Sequence, residues 1–293
     1  GDYNVMLVVT NRYGADTIVK NNLIQILPAP EAAFSSGNTE TWENDSIQFT
    51  DESLNDPDEW LWDFGDGNTS TLQHPKHAYA DAGNYSISLK VSSAYGKDSK
   101  SSTDHITINE LRDVDGNVYE TVAIGSQLWT AENIRVTSYN DGSPIPLVTD
   151  NLSWSKMNTP AYCWYDNDKA ANEMVHGALY NWFTVREVNG NVCPDGWHVP
   201  TPDDWQVLLD ELGIQIRADA KMKAPGTTYW KETNYLTNNE TNFNGVGSGF
   251  RQMDGNYYWM KEVLMIWSTV HYESGTGYRA YGLRYNGNDL VEY

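Results

Sequence analysis

The chain has 293 residues, a length typical of about two domains. Its hydrophobic content of 40% excludes overall disorder, and no apolar run approaches the roughly 20 residues that span a bilayer. Forty acidic against 19 basic side chains give a net charge of −21. Because such a surface repels phosphate backbones and anionic headgroups, neither nucleic acid nor membrane insertion is expected.

The first third of the chain contains an internal repeat. Residues 1–9 (GDYNVMLVV) align with residues 83–91 (GNYSISLKV), an offset of 82 residues when Gly1 is set against Gly83. Tyr-Gly at 13–14 and at 95–96 continues the match. The chain is therefore expected to open partway through one repeat, as part of a longer polypeptide, and to continue with a complete copy.

The complete copy has the pattern of an all-β domain. Tyr85, Ile87, Leu89 and Val91 alternate with polar residues, which predicts a strand with one face towards water. Turn-forming residues at 55–58, 65–68 and 81–83 separate further short strands. Short strands with such turns predict a β-sandwich.

Three motifs in this region occur in a characteristic order: WDFGDG at 62–67, HAY at 77–79 and GNYSISLKV at 83–91. They resemble the polycystic kidney disease (PKD) repeat. The resemblance assigns residues 29–109 to a complete PKD domain and residues 1–28 to the last part of another. It implies an immunoglobulin-like sandwich that acts as a spacer or interaction module in extracellular multidomain proteins.

Aspartates in these loops invite a metal interpretation. For Asp63 and Asp66 a structural role is favoured, because Asp-Gly turns need side-chain hydrogen bonds to the turn backbone. The segment starting at Asp113 lacks the Gly and acid spacing of an EF-hand, so a hairpin turn at Asp115-Gly116 is predicted. Calcium is expected as a cofactor where carboxylates cluster in two other loops, the first with Asp51, Asp56 and Asp58, the second with Asp166 and Asp168.

Residues 110–293 have a different character. Motifs at 121–133, 161–168, 177–182, 193–205 and 243–251 occur in the order of the Fibrobacter succinogenes major paralogous domain, which they resemble. The resemblance implies a secreted or surface protein of Bacteroidetes-like bacteria. It also implies an irregular α+β fold of the C-type-lectin-like or formylglycine-generating-enzyme type. Family members commonly end in a G-F-S-V-R-C strand, which residues 289–293 lack, so the domain is expected without its closing strand.

One helix can be predicted in detail. Thr201 is a suitable N-cap and Pro202 a suitable first residue, while apolar residues from Trp205 to Leu212 recur at helical spacing. Gly213 is a suitable C-cap. We expect Trp205 in the core, and His198 as a structural hydrogen-bonding residue rather than a catalyst.

The two cysteines, Cys163 and Cys193, allow one intrachain disulfide, which an extracellular setting permits. The family resemblance leaves a second possibility open, in which a cysteine beyond residue 293 pairs with Cys193.

The predicted function is that of a non-enzymatic, extracellular or cell-surface adhesin, in which a PKD stalk presents a lectin-like domain to a glycan or a surface protein. The chain has no G-x-S-x-G or H-E-x-x-H motif, and it has none of the late cysteines that formylglycine-generating oxidases need. The alternatives are a purely structural stalk and an accessory module of a secreted enzyme.

Candidate ligand-binding residues are Tyr257, Tyr258, Trp259, Arg251, Asn286 and Asn288. Thr17 and Ser46 fit a D-[ST]-aliphatic O-glycosylation pattern.

Overall fold

The computed structural model describes residues 1–186, 191–213, 218–232, 237–269, 279–287 and 291–292. The chain forms two compact units. The first contains Gly1–Thr41, Ser46–Tyr79 and Gly83–Ile108, and the second contains Asn109–Tyr293 with the short segments Trp42–Asp45 and Ala80–Ala82. Strands predominate over helices in the described residues, which confirms the predicted mainly-β class.

The first unit contains the predicted sandwich. A five-stranded sheet has the order β4-β10-β9-β6-β7, and a three-stranded sheet has the order β3-β5-β8. The side chains that alternate inward from the two sheets, Trp62, Phe49, Ile87 and Leu89 among them, form one buried cluster. The strands are β3 (Phe34–Ser36), β4 (Glu40–Trp42), β5 (Ser46–Asp51), β6 (Glu59–Asp63), β7 (Thr69–Ser70), β8 (Lys76–Ala78), β9 (Gly83–Ser93) and β10 (Gly96–Asn109).

The WDFGDG turn has the structural role predicted for its aspartates. Asp63 Oδ1 accepts a hydrogen bond from the Gly65 amide at 3.0 Å, and Asp66 Oδ2 lies 2.8 Å from His77 Nε2. Gly65 has φ +82°, and a Cβ there would lie 2.5 Å from the Ser86 carbonyl oxygen. Gly67 has φ +92° with open space around it. The turn therefore needs both glycines. Gly67 is needed for its backbone conformation alone, whereas Gly65 is needed for its conformation and for close packing against the Ser86 backbone.

Residues 2–25 form a separate two-stranded hairpin of β1 (Asp2–Asn11) and β2 (Gly14–Gln25). Every residue of both strands is exposed. The pairing of β1 with β2 repeats that of β9 with β10 at an offset of 82, as in Tyr3 with Ile24 and Tyr85 with Ile106. Both pairings are interrupted at the equivalent place. The sequence repeat is therefore a structural repeat as well.

The second unit combines short hairpins, short helices and one larger sheet. The sheet has the order β18-β17-β19-β20-β21, and β17 and β19 are parallel. Its strands are β17 (Ser248–Arg251), β18 (Tyr257–Met260), β19 (Val263–Ser268), β20 (Arg279–Arg284) and β21 (Val291–Glu292). The paired short strands are β11 (Leu111–Arg112) with β12 (Val118–Tyr119), β13 (Thr121–Ile124) with β14 (Gln127–Thr130), and β15 (Tyr162–Cys163) with β16 (Leu179–Tyr180). The helices are α1 (Asn151–Ser155), α2 (Lys169–His176), α3 (Trp182–Val185), α4 (Pro202–Leu212) and α5 (Ala218–Met222), with a 3-10 turn at Tyr165–Asn167.

The predicted helix and hairpin turn are both confirmed. Helix α4 begins after Thr201, whose side chain forms a capping box with Asp204, and is followed by the C-cap residue Gly213 with φ +72°. Trp205 is fully buried, and His198 Nε2 lies 2.9 Å from Asp204 Oδ2. Strands β11 and β12 flank the turn at Asp115-Gly116. No helix among the described residues is long and apolar enough to cross a membrane.

Candidate ligand-binding site

The hairpin of β17 and β18 brings together four of the six predicted ligand-binding residues. Arg251 pairs with Tyr257, and Phe250 pairs with Tyr258. Trp259 is the next residue of β18, and the Glu262 amide in the following turn donates to the Trp259 carbonyl at 2.8 Å. The four residues nevertheless face different surroundings, and their roles differ accordingly.

Arg251 is buried and cannot reach a ligand. Its side chain is 8% exposed and donates to the carbonyl oxygens of Gly255 at 2.8 Å, Val148 at 2.6 Å and Thr149 at 3.0 Å. A further bond reaches Asn151 Oδ1 at 2.9 Å. The prediction of a ligand contact is therefore wrong for Arg251, because its donors are used to anchor the hairpin to the segment around α1.

The guanidinium of Arg251 is also enclosed by aromatic rings. Its central carbon lies 4.5 Å from the centre of the Trp154 ring and 4.8 Å from that of Tyr257. The Tyr257 hydroxyl donates to Asn167 Oδ1 at 2.8 Å, so the acidic loop 165–168 lies beside this ring. Burial raises the pKa of Tyr257, so its hydroxyl stays protonated at neutral pH. Tyr257 thus presents little of its ring outward and links two loops.

Trp259 is the exposed member of the group. Its side chain is 47% exposed, and it is the one exposed aromatic side chain among the described residues of the second unit. Its φ of +60° lies in the left-handed region, which is unfavourable for a bulky side chain. The Phe250 ring meets the indole edge to face at 5.2 Å. The backbone thus holds a large ring outward at a conformational cost.

Tyr258 supports the same surface. Its ring lies 6.0 Å from that of Phe250, and its hydroxyl donates to Asp254 Oδ2 at 2.8 Å. That hydrogen bond to a carboxylate raises the pKa of Tyr258. We define the aromatic patch as Phe250, Tyr258 and Trp259. Phe250 was not among the predicted residues, although its place one residue before Arg251 puts it on the opposite face of the strand.

The remaining two predicted ligand residues, Asn286 and Asn288, stay predictions. Asn286 is exposed in the turn after β20. Asn288 lies outside the described residues. The sites predicted for O-glycosylation, Thr17 and Ser46, are both exposed and stay a prediction.

The predicted calcium ligands are placed in two loops that differ in character. Asp51 accepts hydrogen bonds from Trp60 Nε1 at 2.7 Å and from Gln73 Nε2 at 3.1 Å. Burial opposes ionisation of Asp51, but hydrogen bonds such as these outweigh it and hold its pKa below the ordinary value. Asp56 and Asp58 are exposed. The Asp51 carboxylate is thus already bound by neighbouring donors of the sandwich.

In the second loop, Asp166 is exposed with φ +49°, and Asp168 caps α2 by accepting from the Ala171 amide at 3.0 Å. Across the described part of the chain, no group of three or more His, Cys, Asp or Glu side chains is arranged to hold a metal ion. Calcium binding stays a prediction, and two weakly clustered loops are its candidates.

The predicted disulfide is wrong for this structure. Cys163 and Cys193 are both free and buried. Cys163 packs with Trp154 and Ala161, whereas Cys193 belongs to a different buried cluster. Burial raises the pKa of both thiols, to about 12 for Cys193, so neither is a reactive thiolate at neutral pH.

Comparison with known families accounts for nearly the whole chain. The family model described as Fibrobacter succinogenes major domain matches residues 122–288, more than half of the chain. The chain belongs to the Fibrobacter succinogenes major domain family. In front of this major domain, the model of the PKD domain matches residues 27–108. Both resemblances predicted from the motifs are confirmed, and the C-type-lectin-like detail of the major domain stays a prediction.

Each of the similar proteins described next aligns with only part of this chain. A "Microbial collagenase" of Vibrio alginolyticus is 29% identical over 168 residues, 47% of this chain and 20% of the collagenase. "Collagenase ColQ1" of Bacillus cereus is 44% identical over 63 residues, 20% of this chain and 6% of the collagenase. The crystal structure of the PKD1 domain of the Vibrio cholerae metalloprotease PrtV is 32% identical, covers 28% of this chain and 99% of that one, and has a TM-score of 0.25. This chain thus spans a fifth or less of the two collagenases.

Proposed function

We propose that this protein is a non-enzymatic binding module that acts outside the cell or at its surface, with the PKD sandwich as stalk. The ligand is a glycan, and the aromatic patch is its contact surface. The observation that carries the proposal is Trp259, an exposed indole held at φ +60° with the Phe250 ring packed against it.

Sugar rings have one apolar face of C–H groups, which stacks against the electron-rich face of an aromatic ring. A left-handed conformation costs a bulky residue about 1–2 kcal/mol, which a purely structural tryptophan would avoid. The Phe250 ring restricts the indole, so less side-chain entropy is lost when a ligand binds.

The charge of the chain narrows the class of glycan. A net charge of −21 repels sulfated and other anionic sugars at long range. The Asp254 carboxylate beside the patch already accepts the hydrogen bond of the Tyr258 hydroxyl. Neutral hexose-containing glycans are therefore the proposed ligands.

A glycan array, probed once with calcium and once with a chelator, tests the proposal. Trp259→Ala should reduce binding to every recognised neutral glycan by at least about tenfold, which is the effect of removing a central aromatic contact. The matched control is Val207→Ala on α4, a residue of similar exposure at 43%, which should leave binding unchanged. Equal binding by both variants would contradict the role of the patch.

A second candidate is an accessory module of a secreted multidomain enzyme. It is favoured by the matches to parts of two collagenases, one at 44% identity. In that case the module would bind the protein substrate, and fibrillar collagen would retain the chain in a sedimentation assay. A chain that binds neither glycans nor collagen would fit a purely structural stalk.

A further inference from the structure

The β1–β2 hairpin exposes a face whose equivalent in the complete repeat is the centre of a core. Leu7 and Val9 are 58% and 59% exposed. Their counterparts at an offset of 82, Leu89 and Val91, are 0% and 2% exposed. Since the two hairpins share strand register and the position of the irregular step, the difference comes from what packs against them.

The complete repeat shows which strands pack against this hairpin when the sandwich is whole. In it, β6 pairs with β9 so that Glu59 lies opposite Ser92 and Asp63 lies opposite Ser88. The sheet β3-β5-β8 then covers the inward face. At the same offset, the edge of β1 from Met6 to Thr10 is the place for a strand equivalent to β6.

We propose that the β1–β2 hairpin is an acceptor for an incomplete immunoglobulin-like sandwich, made of strands equivalent to β3–β8 of the complete repeat. Residues 34–78 of the chain cannot be the occupant, because they already cover their own β9 and β10. The occupant is therefore another segment of the same sequence type, which adds a strand to β1 and a second sheet to its inward face.

The two faces of β1 make the proposal specific. Leu89 is fully buried, whereas its neighbour Lys90 is exposed on the outer face of the sandwich. By the same offset, Leu7 points towards the occupant and Val8 points away. A charge should be tolerated at position 8 and not at position 7, although both residues are exposed in the free hairpin, Leu7 at 58% and Val8 at 47%.

The test adds a second copy of residues 29–82 directly before Gly1 of the full chain, which recreates the natural junction between residues 82 and 83. Hydrogen exchange followed by mass spectrometry should show β1 amides exchanging at least about a hundredfold more slowly than in the unextended chain. In the extended chain, Leu7→Asp should abolish this protection and Val8→Asp should keep it.

Protection of β9 in the same sample reports that the original sandwich remains folded. Peptides from β5 and β6 occur twice in the extended chain, once in each copy. If these peptides exchange as two populations, one slow and one fast, the added copy has not docked, and the proposal is overturned. Unchanged β1 exchange, or equal effects of the two aspartates, overturns it too. So would a β1 already protected in an unextended chain that light scattering finds dimeric, since a second copy would then be the occupant.

Discussion

Replacing Arg251 by alanine should lower the free energy of unfolding of the second unit by about 4 kcal/mol. The change leaves the carbonyls of Val148 and Gly255 without their donor, at about 1–3 kcal/mol each when water cannot replace it, whereas the exposed Thr149 carbonyl keeps the hydrogen bond from Asn167 Nδ2 at 3.0 Å. Loss of the stacked contacts with Trp154 and Tyr257 adds about 0.5–2 kcal/mol each. Water entering the space and the coupling of these contacts reduce the total.

Urea unfolding followed by tryptophan fluorescence measures this loss. Arg251→Lys should retain part of the stability, because an ammonium group keeps the charge but not the planar fork of donors. The control is Arg112→Ala, since the Arg112 side chain is 53% exposed and pairs with Glu110, so it should cost less than about 1 kcal/mol. A loss for Arg251→Ala no larger than that of the control would refute the anchoring role.

Other predictions follow from single features. Gly65→Ala should destabilise the sandwich well beyond Gly67→Ala, since a Cβ at position 67 meets open space; equal unfolding midpoints in urea would contradict the packing argument. The pKa of Asp66 is held low by hydrogen bonds from Asn68 and His77 despite burial, so its contribution to stability is present above about pH 4 and is lost as pH falls through the lowered pKa; thermal melts of Asp66→Asn should depend less on pH in that range. Calcium should raise the melting temperature with the logarithm of its concentration, and identical melts with chelator and with millimolar calcium would exclude it. Intact-mass spectrometry of native material should find added hexoses, and an unmodified mass would remove the glycosylation prediction.

Features that depend on neighbouring residues could be predicted from the sequence. Helix α4 carries its capping box, its apolar spacing and its terminal glycine within residues 201–213. The sandwich could be predicted for a related reason, because alternation and turn residues are both local signals. The repeat added a second copy against which the strand assignments could be checked.

Features decided by distant residues could not be predicted. Arg251 resembles a ligand contact in the sequence, yet its surroundings are set by residues 148–151, about a hundred positions earlier. Lys223 is similar: its buried ammonium group donates to the carbonyl of the distant residue Arg284, and no local pattern indicates that bond. For the cysteines, composition limits which pair can form, whereas the fold places the two thiols in separate clusters.

The left-handed backbone at Trp259 sets stability against the proposed glycan contact at a single position. Glycine adopts that conformation without a steric penalty, so Trp259→Gly would release about 1 kcal/mol of backbone strain while removing the indole. Selection of variants for heat resistance alone would therefore enrich glycine at position 259, and selection for ligand retention would remove it. An effort to stabilise this protein for use as a reagent should leave that residue fixed and draw its gains from other positions.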